Sequence, residues 1–512
     1  MRNHLFIVYG VINNVLRGGK DCIDIQIYDL VQAFDALWLE DCLNDLYDAL
    51  PDNKRDDKLA LVYQTNVNNL VAVNTAVGQT ERVNMPKIVQ QGGAWGPMEC
   101  SVSIDKIGKL CTERGEHLYK YKDLVNIVPL AMVDDLLGIA PCNFKSVALN
   151  SFINTQIEMK RLKFHTPDAD GKTKCHKIHV GKRNENCPSL QVHGTAMKTV
   201  FSDVYLGDEI SADGTNTLNI KRRVSKGEGI ICQLMTLLEK TSIGKHYFRI
   251  ALLLRDSIFL NSILTNSEIW YGVSKSDIEQ LEALDKTLLR RIFRVPDSTP
   301  ISGLYLETGS IRIGTLIKER WATFLHYLLK LPKTDMLSKF FYAQWDHSLK
   351  LDWTEQVKVD LKDFGLPRDL EALEKKSKYS FKNLIKKKTN EYEYRCLINM
   401  KISQSKTKMK NLEYKRLELQ PYLKKFDANM AICVFRFRVK MAPFSENFKG
   451  QGPLKPCPLC RIHFDTQAMS FQCGKVKDKL KISENYETIF KEDISLEMAN
   501  TLQQILKIRE NV

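Results

Sequence analysis

Two adjacent aspartates, Asp134 and Asp135, stand between two short apolar runs, residues 128–133 and 136–140. Runs this short and this apolar predict two buried strands rather than a helix, so both carboxylates would lie at the tip of a tight hairpin. Two like charges side by side raise each other's pKa unless a cation neutralises them, and carboxylate oxygens are the ligands that Mg²⁺ accepts. An exposed turn without chemistry is the alternative.

A third carboxylate ends an earlier strand pattern. Isoleucines alternate with other residues over 23–29, and this period of two predicts a strand that ends on Asp29. A helix with an apolar face is predicted to follow, over residues 38–50. Three such acids suit two-metal nucleotidyl transfer, in which one ion activates the attacking hydroxyl and the other stabilises the leaving pyrophosphate. We expect Asp29, Asp134 and Asp135 to converge on two Mg²⁺ ions about 4 Å apart.

Four short motifs follow one another along the chain, at residues 29–35, 91–97, 133–135 and 205–208. Their order resembles that of the reverse-transcriptase motifs, and in particular those of the non-LTR (LINE-type) retrotransposon polymerases. Residues 29–35 resemble motif A, 91–97 motif B, 133–135 motif C and 205–208 the primer-grip motif E. An ordered set of four is more specific than any one motif. The resemblance implies an α+β palm, an antiparallel sheet with flanking helices, and RNA-directed DNA polymerase activity on an RNA template, a DNA primer and dNTPs.

The resemblance also implies residues that contact the incoming nucleotide. Phe34 occupies the position of a bulky steric gate that disfavours the ribose 2′-hydroxyl, and a core aromatic is the alternative. Gln91 and Gly92 would contact the nucleotide and the template. A glycine suits this position because its backbone permits a close approach.

Two further stretches have implied roles in the reaction. Tyr205, Leu206 and Gly207 would form a tight turn that holds the primer backbone. Lys174 lies where motif D is expected and is our candidate proton donor to pyrophosphate, with Lys172 as the alternative.

Cys175, His176 and His179 follow closely and could indicate a metal site. A strand here would send the two histidines to opposite faces. We therefore expect structural or solvated roles for these three residues.

The charge of the chain predicts a polyanionic partner. The 512 residues carry a net charge of +14, and residues 371–450 hold 20 basic against 8 acidic residues, an excess of 12. Two lysine clusters in this region are the predicted nucleic-acid contacts: Lys386, Lys387, Lys388, Lys406, Lys408 and Lys410. Aromatic residues that could stack on bases are interleaved with them: Tyr379, Phe381, Tyr392 and Tyr394. A solvated helical face is the alternative.

A cysteine cluster near the C-terminus predicts a zinc site. Cys457 and Cys460 form a Cys-x-x-Cys half-site, and His463 and Cys473 follow. The resembled family has a histidine four residues before its last cysteine, where this chain has Met469, so His463 is the candidate fourth ligand. The other cysteines are mostly scattered, which indicates a reducing compartment.

The chain is predicted to have five parts. Residues 1–210 would form the palm with residual fingers, 211–345 a helical thumb, 346–450 a basic helical region, 451–476 a zinc-knuckle-like module and 477–512 a helical tail. No run of about 18 apolar residues occurs, so no membrane span is expected. A nuclear or cytoplasmic protein that is not secreted is predicted.

The short segment before Asp29 qualifies the predicted activity. Only 28 residues precede Asp29, so the fingers are expected to be largely missing, through truncation of an element copy or an incomplete gene model. The chain would then polymerise poorly or not at all. A non-catalytic nucleic-acid-binding remnant and a helical scaffold are the alternative functions.

In the thumb, a capping box of Ser276 and Glu279 predicts a helix from Asp277 to Pro296.

Overall fold

The computed structural model describes residues 2–19, 22–31, 36–52, 55–66, 70–72, 74–84, 96–114, 118–133, 135–167, 175–182, 188–240, 244–404, 409, 411–447 and 453–510. The chain divides into two compact units. Unit 1 comprises Met1–Asn219, Ile269–Gly272 and Lys330–Gln356, and unit 2 comprises Ile220–Glu268, Val273–Leu329 and Val357–Val512.

The strands all belong to unit 1. They are β1 (Ile23–Asp29), β2 (Leu70–Val71), β3 (Asn74–Thr75), β4 (Gly78–Gln79), β5 (Val83–Asn84), β6 (Tyr119–Tyr121), β7 (Val125–Ile127), β8 (Leu130–Met132), β9 (Asp135–Pro141), β10 (His176–Val180), β11 (Gln191–Val192), β12 (Thr195–Ala196), β13 (Lys198–Val200), β14 (Ser202–Tyr205) and β15 (Asp208–Ser211). These are the strands within the described residues.

Helices occur in both units. They are α1 (Arg2–Gly18), α2 (Leu39–Ala49), α3 (Arg55–Asn66), α4 (Gly96–Arg114), α5 (Phe144–Met159), α6 (Thr217–Lys240), α7 (Tyr247–Leu254), α8 (Asn261–Ile263), α9 (Lys275–Phe293), α10 (Ile301–Thr308), α11 (Ile313–Leu329), α12 (Met336–Asp346), α13 (Trp353–Asp363), α14 (Leu370–Glu374), α15 (Lys378–Gln404), α16 (Pro421–Lys425), α17 (Ala428–Arg438), α18 (Gln467–Ser470), α19 (Gly474–Lys477) and α20 (Leu496–Glu510). None of the helices in the described ranges combines the length and apolar character needed to cross a membrane.

The largest sheet of unit 1 has the strand order β13-β10-β1-β9-β8. β1 lies at its centre and pairs antiparallel with both β9 and β10. β8 and β9 form an antiparallel hairpin, and β10 and β13 pair in parallel. This mainly antiparallel sheet, flanked by helices, confirms the predicted mixed α+β class.

Both faces of β1 are buried. Asp24 and Gln26 have no exposed surface, like the isoleucines beside them. Gln26 Nε2 donates to the Ser146 carbonyl of α5 at 2.9 Å, and Ser146 Oγ donates to Asp24 Oδ2 at 2.9 Å. Buried polar groups are tolerated when they are hydrogen-bonded in this way, so α5 covers this face and fixes the polar side chains of β1.

Unit 2 is helical, and α9 corrects one predicted boundary. The capping box is Ser274 with Asp277, not Ser276 with Glu279. Ser274 Oγ accepts from the Asp277 backbone N–H at 3.1 Å, and Asp277 Oδ2 accepts from the Ser274 backbone N–H at 3.0 Å. The shorter Asp277 side chain reaches the N-cap when it lies at the third helical position, so the helix starts two residues earlier than predicted.

Candidate functional site

Asp29 and Asp135 are direct partners across the central sheet. Asp29 ends β1 and Asp135 begins β9, and both residues are half-buried. Residues directly opposite each other in an antiparallel pair project to the same face, with Cβ atoms roughly 4.5–5.5 Å apart. The structure therefore brings two of the three predicted acids together at one end of the sheet, where a cation would relieve their repulsion.

Asp134 lies outside the described residues. The other predicted site residues outside them are Phe34, Gln91, Gly92, Lys174, Lys406, Lys408 and Lys410. Met132 and Asp135, which flank Val133 and Asp134 in the sequence, pair with each other in the β8–β9 hairpin. Val133 begins this two-residue connection with a φ of +58°, a left-handed backbone that a β-branched side chain rarely adopts. Such strain costs about 1–3 kcal/mol and is concentrated at functional sites.

Two protonated side chains lie beside the paired acids. Burial, together with the charge of Asp29, raises the pKa of the Cys175 thiol to about 11. Burial and the charge of Asp135 raise the pKa of Tyr205, whose hydroxyl donates to the Leu130 carbonyl at 3.3 Å. Both groups are therefore neutral at physiological pH, and they add no negative charge to the carboxylates.

The predicted primer-grip turn is a tight hairpin between β14 and β15. Tyr205 pairs with Asp208, and the two residues between them, Leu206 and Gly207, have φ values of +48° and +85°. Two consecutive positive φ angles define a type I′ turn. Asp208 is fully buried and accepts from Trp270 Nε1 at 3.2 Å. At the tip of the turn Leu206 is also buried, whereas Gly207 is exposed.

Part of the first lysine cluster lines a groove in unit 2. Lys386 and Lys387 are exposed on α15, whereas Lys388 Nζ lies 3.1 Å from Glu391 Oε2. The groove has a volume of about 590 Å³. Its polar and aromatic lining consists of Asn383, Lys386, Lys387, Asn390, Glu391, Tyr394, Lys415 and Arg416. The sequence did not link Lys415 and Arg416 to α15, because a chain reversal brings them together.

The aromatic residues of this region mainly support helix packing. Phe381 is buried and stacks on the His326 ring with centroids 4.3 Å apart. The Tyr394 hydroxyl donates to the Tyr414 carbonyl at 2.5 Å. Tyr379 differs from these two, because 76% of its side chain is exposed. Phe381 is therefore unavailable to a base, whereas Tyr379 is exposed and Tyr394 lines the groove.

A second basic groove follows the end of α9. Its volume is about 700 Å³, and three of its lining residues are Arg290, Arg291 and Arg294. Arg290 Nη2 donates to the Asp297 carbonyl at 2.7 Å, and Arg294 Nη1 donates to Asn429 Oδ1 at 3.1 Å. Glu239 and Asp297 also line the groove, and Arg290 Nη1 lies 3.5 Å from Asp297 Oδ1, so part of the basic charge is neutralised there.

The C-terminal cysteines form a compact cluster. The sulfurs of Cys457, Cys460 and Cys473 lie within 4.8 Å of one another. Backbone N–H groups of His463 and Ile462 lower the pKa of the Cys460 thiol to about 7, which favours the thiolate that metals bind. Three sulfurs in a turn of this kind fit the ligand preference of Zn²⁺.

His463 contributes its backbone rather than its ring to this cluster. Its carbonyl accepts from the Cys457 backbone N–H at 2.7 Å, and its imidazole is not in the group of converging ligand atoms. Met469 lies in α18, where its N–H donates to Thr466 Oγ1 at 3.1 Å. The structure thus places three of the four predicted ligand atoms together and leaves the fourth position to another donor.

The chain matches no protein-family model and no curated protein. Among solved structures it is similar to apo telomerase from Candida tropicalis, with 11% identity and a TM-score of 0.34, over 70% of this chain and 53% of that one. It is also similar to telomerase from Candida albicans in complex with a fragment of telomeric RNA, with 13% identity and a TM-score of 0.31, over 73% and 52%. The chain thus spans about half the length of these telomerases. TM-scores this low do not establish a shared fold, so the chain's own residues carry the functional conclusion.

Proposed function

We propose that the chain is an RNA-directed DNA polymerase of a non-LTR retroelement, which joins a dNTP to a primer 3′-hydroxyl on an RNA template. The observation that carries this proposal is the cross-strand pair of Asp29 and Asp135 beside the strained turn that begins at Val133. The LINE-type origin, the five-part division of the chain and the nuclear or cytoplasmic location rest on the resemblance and stay predictions.

The acids would hold two Mg²⁺ ions, which when bound activate the primer hydroxyl and neutralise charge on the leaving pyrophosphate. Asp29 and Asp135 offer oxygen ligands from two rigid strands, and Asp134 adds a third carboxylate next to Asp135 in the sequence. The raised pKa values of Cys175 and Tyr205 keep both groups protonated in the absence of metal, so the carboxylates supply the negative charge at this end of the sheet. The turn at Leu206 and Gly207 would position the primer, since alignment supplies much of the rate in phosphoryl transfer.

Primer extension on an RNA template with Mg²⁺ and dNTPs tests this function. Asp29→Asn should lower extension by about 10³-fold, because metal stabilisation of the transition state is worth several kcal/mol. Asp123→Asn is the matched control. It removes one exposed carboxylate from unit 1 at a φ of +61°, which Asn tolerates. Equal extension by the chain and by its Asp29→Asn and Asp134→Ala variants would contradict the proposal.

A second candidate function, nucleic-acid binding without catalysis, is favoured by the groove on α15. Lys386 and Lys387 face it together with Lys415 and Arg416, and each phosphate contact by a basic side chain releases counterions. The binding partner would be RNA or single-stranded DNA, with little sequence preference. This candidate predicts binding that persists when Asp29→Asn abolishes extension.

The salt dependence of binding tests the groove. Replacing Lys386 and Lys387 by Ala should reduce the slope of log K against log salt by up to about 2. The double variant Lys245→Ala with Lys275→Ala removes the same charge from exposed positions of unit 2 outside the groove, and it should leave the slope unchanged. An unchanged slope in the groove variant would show that nucleic acid binds elsewhere.

We also propose Zn²⁺ at Cys457, Cys460 and Cys473. The convergence of the three sulfurs supports it, and a fourth donor would complete the tetrahedron. Metal analysis of the purified chain should show a zinc content that falls by one ion per chain in Cys460→Ser. The matched control is Cys433→Ser, which alters a buried cysteine of unit 2 outside the cluster. The same zinc content in both variants would refute this site.

A further inference from the structure

A second cluster of metal-binding side chains lies in unit 1, at the other end of β1 from Asp29. Cys22 directly precedes β1, Cys142 directly follows β9, and His179 lies in β10. The two sulfurs and a ring nitrogen of His179 lie within 4.8 Å of one another. Three adjacent strands of one sheet therefore bring together residues that are far apart in the sequence.

The sheet register explains this convergence. Ile23 pairs with Pro141, and the Cys142 backbone N–H donates to the Cys22 carbonyl at 2.9 Å, so the two cysteines extend the β1–β9 ladder by one pair. Asp24 pairs with His179 on the other side of β1. Because side chains alternate along a strand, Cys22 and Asp24 project to the same face.

We propose that Cys22, Cys142 and His179 bind a Zn²⁺ ion. Two thiolates and one imidazole form a known zinc ligand set in which the fourth position is left to water or another donor. Ligand atoms around tetrahedral zinc lie roughly 3.5–3.8 Å apart, given bonds of about 2.0–2.3 Å. The present separation therefore needs only a small contraction. Binding replaces two S–H bonds by two Zn–S bonds, and the two protons pass to water.

A buried carboxylate orients the histidine for this role. Asp24 Oδ1 lies 3.1 Å from His179 Nδ1, and Asp24 has no exposed surface. The other carboxylate oxygen accepts from Ser146 Oγ at 2.9 Å and lies 3.5 Å from Lys177 Nζ. A carboxylate that accepts from one ring nitrogen directs the other nitrogen of the ring to the metal, as in many zinc sites. The ion would thus be bound through Nε2.

The backbone around the cluster is closely packed. Gly181 follows β10 with a φ of +101°, and a Cβ there would lie 3.0 Å from the Cys22 Cα. Glycine at this position therefore lets the backbone after β10 approach Cys22 closely. Cys142 is 7% exposed, and Cys22 and His179 are half-buried, so the site is ordered by its surroundings while an ion can still enter from solvent.

Cobalt binding tests the site in the full chain. A background with Cys457, Cys460 and Cys473 replaced by Ser removes the other cysteine cluster. Titration of the reduced, metal-free protein with Co²⁺ should show one thiolate-bound ion per chain, read from thiolate-to-cobalt charge-transfer absorption, and its displacement by Zn²⁺. In this background, Cys142→Ser and His179→Asn should each weaken binding by more than about 100-fold.

Matched controls separate loss of a ligand from loss of the fold. His176→Asn alters the other histidine of β10, which faces Asp203 at 2.8 Å, and Cys111→Ser alters another buried cysteine of unit 1. Both should retain one Co²⁺ with unchanged affinity. Absence of charge-transfer absorption in the triple-Ser background, or equal loss in ligand and control variants, would overturn the proposal.

An alkylation experiment on the unmodified chain avoids the risk of misfolded variants. Zn²⁺ should slow the alkylation of Cys22 and Cys142 by at least about 10-fold relative to the chelator-treated chain, as read by mass spectrometry of their peptides. Cys232 is exposed and serves as the internal standard. Equal alkylation rates with and without Zn²⁺ would overturn the proposal, as would recovery of a Cys22–Cys142 disulfide from anaerobically purified chain.

Discussion

The two ends of β1 present different ligand chemistry on the same three strands. Asp29 and Asp135 face each other at one end, with oxygen ligands beside a strained turn, whereas Cys22, Cys142 and His179 converge at the other end. Carboxylates usually bind Mg²⁺ together with substrate phosphates. Thiolates in structural sites bind Zn²⁺ with apparent binding free energies of about 10–16 kcal/mol. One sheet can therefore combine a reactive end with a stabilising end.

The largest expected effect comes from removing one acid and measuring primer extension and cobalt binding in the same variant. Asp135→Asn should lower primer extension by about 10³-fold and leave cobalt absorption at the thiol end unchanged. The two sites lie at opposite ends of β9, so loss of one carboxylate should not disturb the sulfurs. Loss of cobalt binding in this variant would show that the two ends are not independent.

Removal of zinc should have the next largest effect. In the background without the C-terminal cysteines, saturating Zn²⁺ should stabilise unit 1 against urea by about 3–4 kcal/mol relative to the chelated protein, since a ligand at 100–1,000 times its dissociation constant contributes this much. Magnesium at the same concentration should not produce this gain. Identical unfolding curves with zinc and with chelator would show that zinc at Cys22, Cys142 and His179 does not stabilise the protein.

Gly181→Ala tests how closely the backbone after β10 packs against Cys22. The added Cβ meets the Cys22 backbone and Val15 at 3.0–3.2 Å with a left-handed φ, so we expect a loss of about 2–3 kcal/mol in urea unfolding. Gly194→Ala is the control, because it has a φ of +77° with no atom within 4 Å. It should cost about 1 kcal/mol from the φ strain alone. Equal losses would show that the contact with Cys22 is unimportant.

Val133→Gly should have the smallest effect on stability, at the acid end. Removing the strain of a β-branched residue in a left-handed conformation should raise the free energy of unfolding by about 1–2 kcal/mol. This gain offsets the lost packing of a half-buried Val and the greater conformational entropy of glycine in the unfolded chain. We expect unfolding within about 0.5 kcal/mol of the unmodified chain. A loss above about 2 kcal/mol would show that Val133 stabilises the hairpin through its contacts.

The sequence predicted those features that depend on local pattern. The alternation over 23–29 predicted β1, the apolar runs around Asp135 predicted the β8–β9 hairpin, and helical spacing predicted α2. Each of these follows from a period of 2 or 3.6 residues, and together they placed Asp29 and Asp135 at strand ends.

Features that depend on packing between distant segments were not predictable in this way. The cluster of Cys22, Cys142 and His179 exists because of strand register, which no local spacing encodes. Phe381 was predicted to stack on bases, but it is buried against His326 of α11. A helical pattern shows that two faces differ without showing which face meets another helix.

The central position of β1 has a consequence for how the chain is made. Its partner strands come much later in the sequence, since Ile25 pairs with Ile139 and with Ile178. At a synthesis rate of about 5–20 residues per second, β1 leaves the ribosome roughly 8–30 seconds before β10 is complete. Both edges of β1 are unpaired until β9 is complete, and one edge stays unpaired until β10 arrives, so the nascent chain exposes strand edges that can pair with other chains.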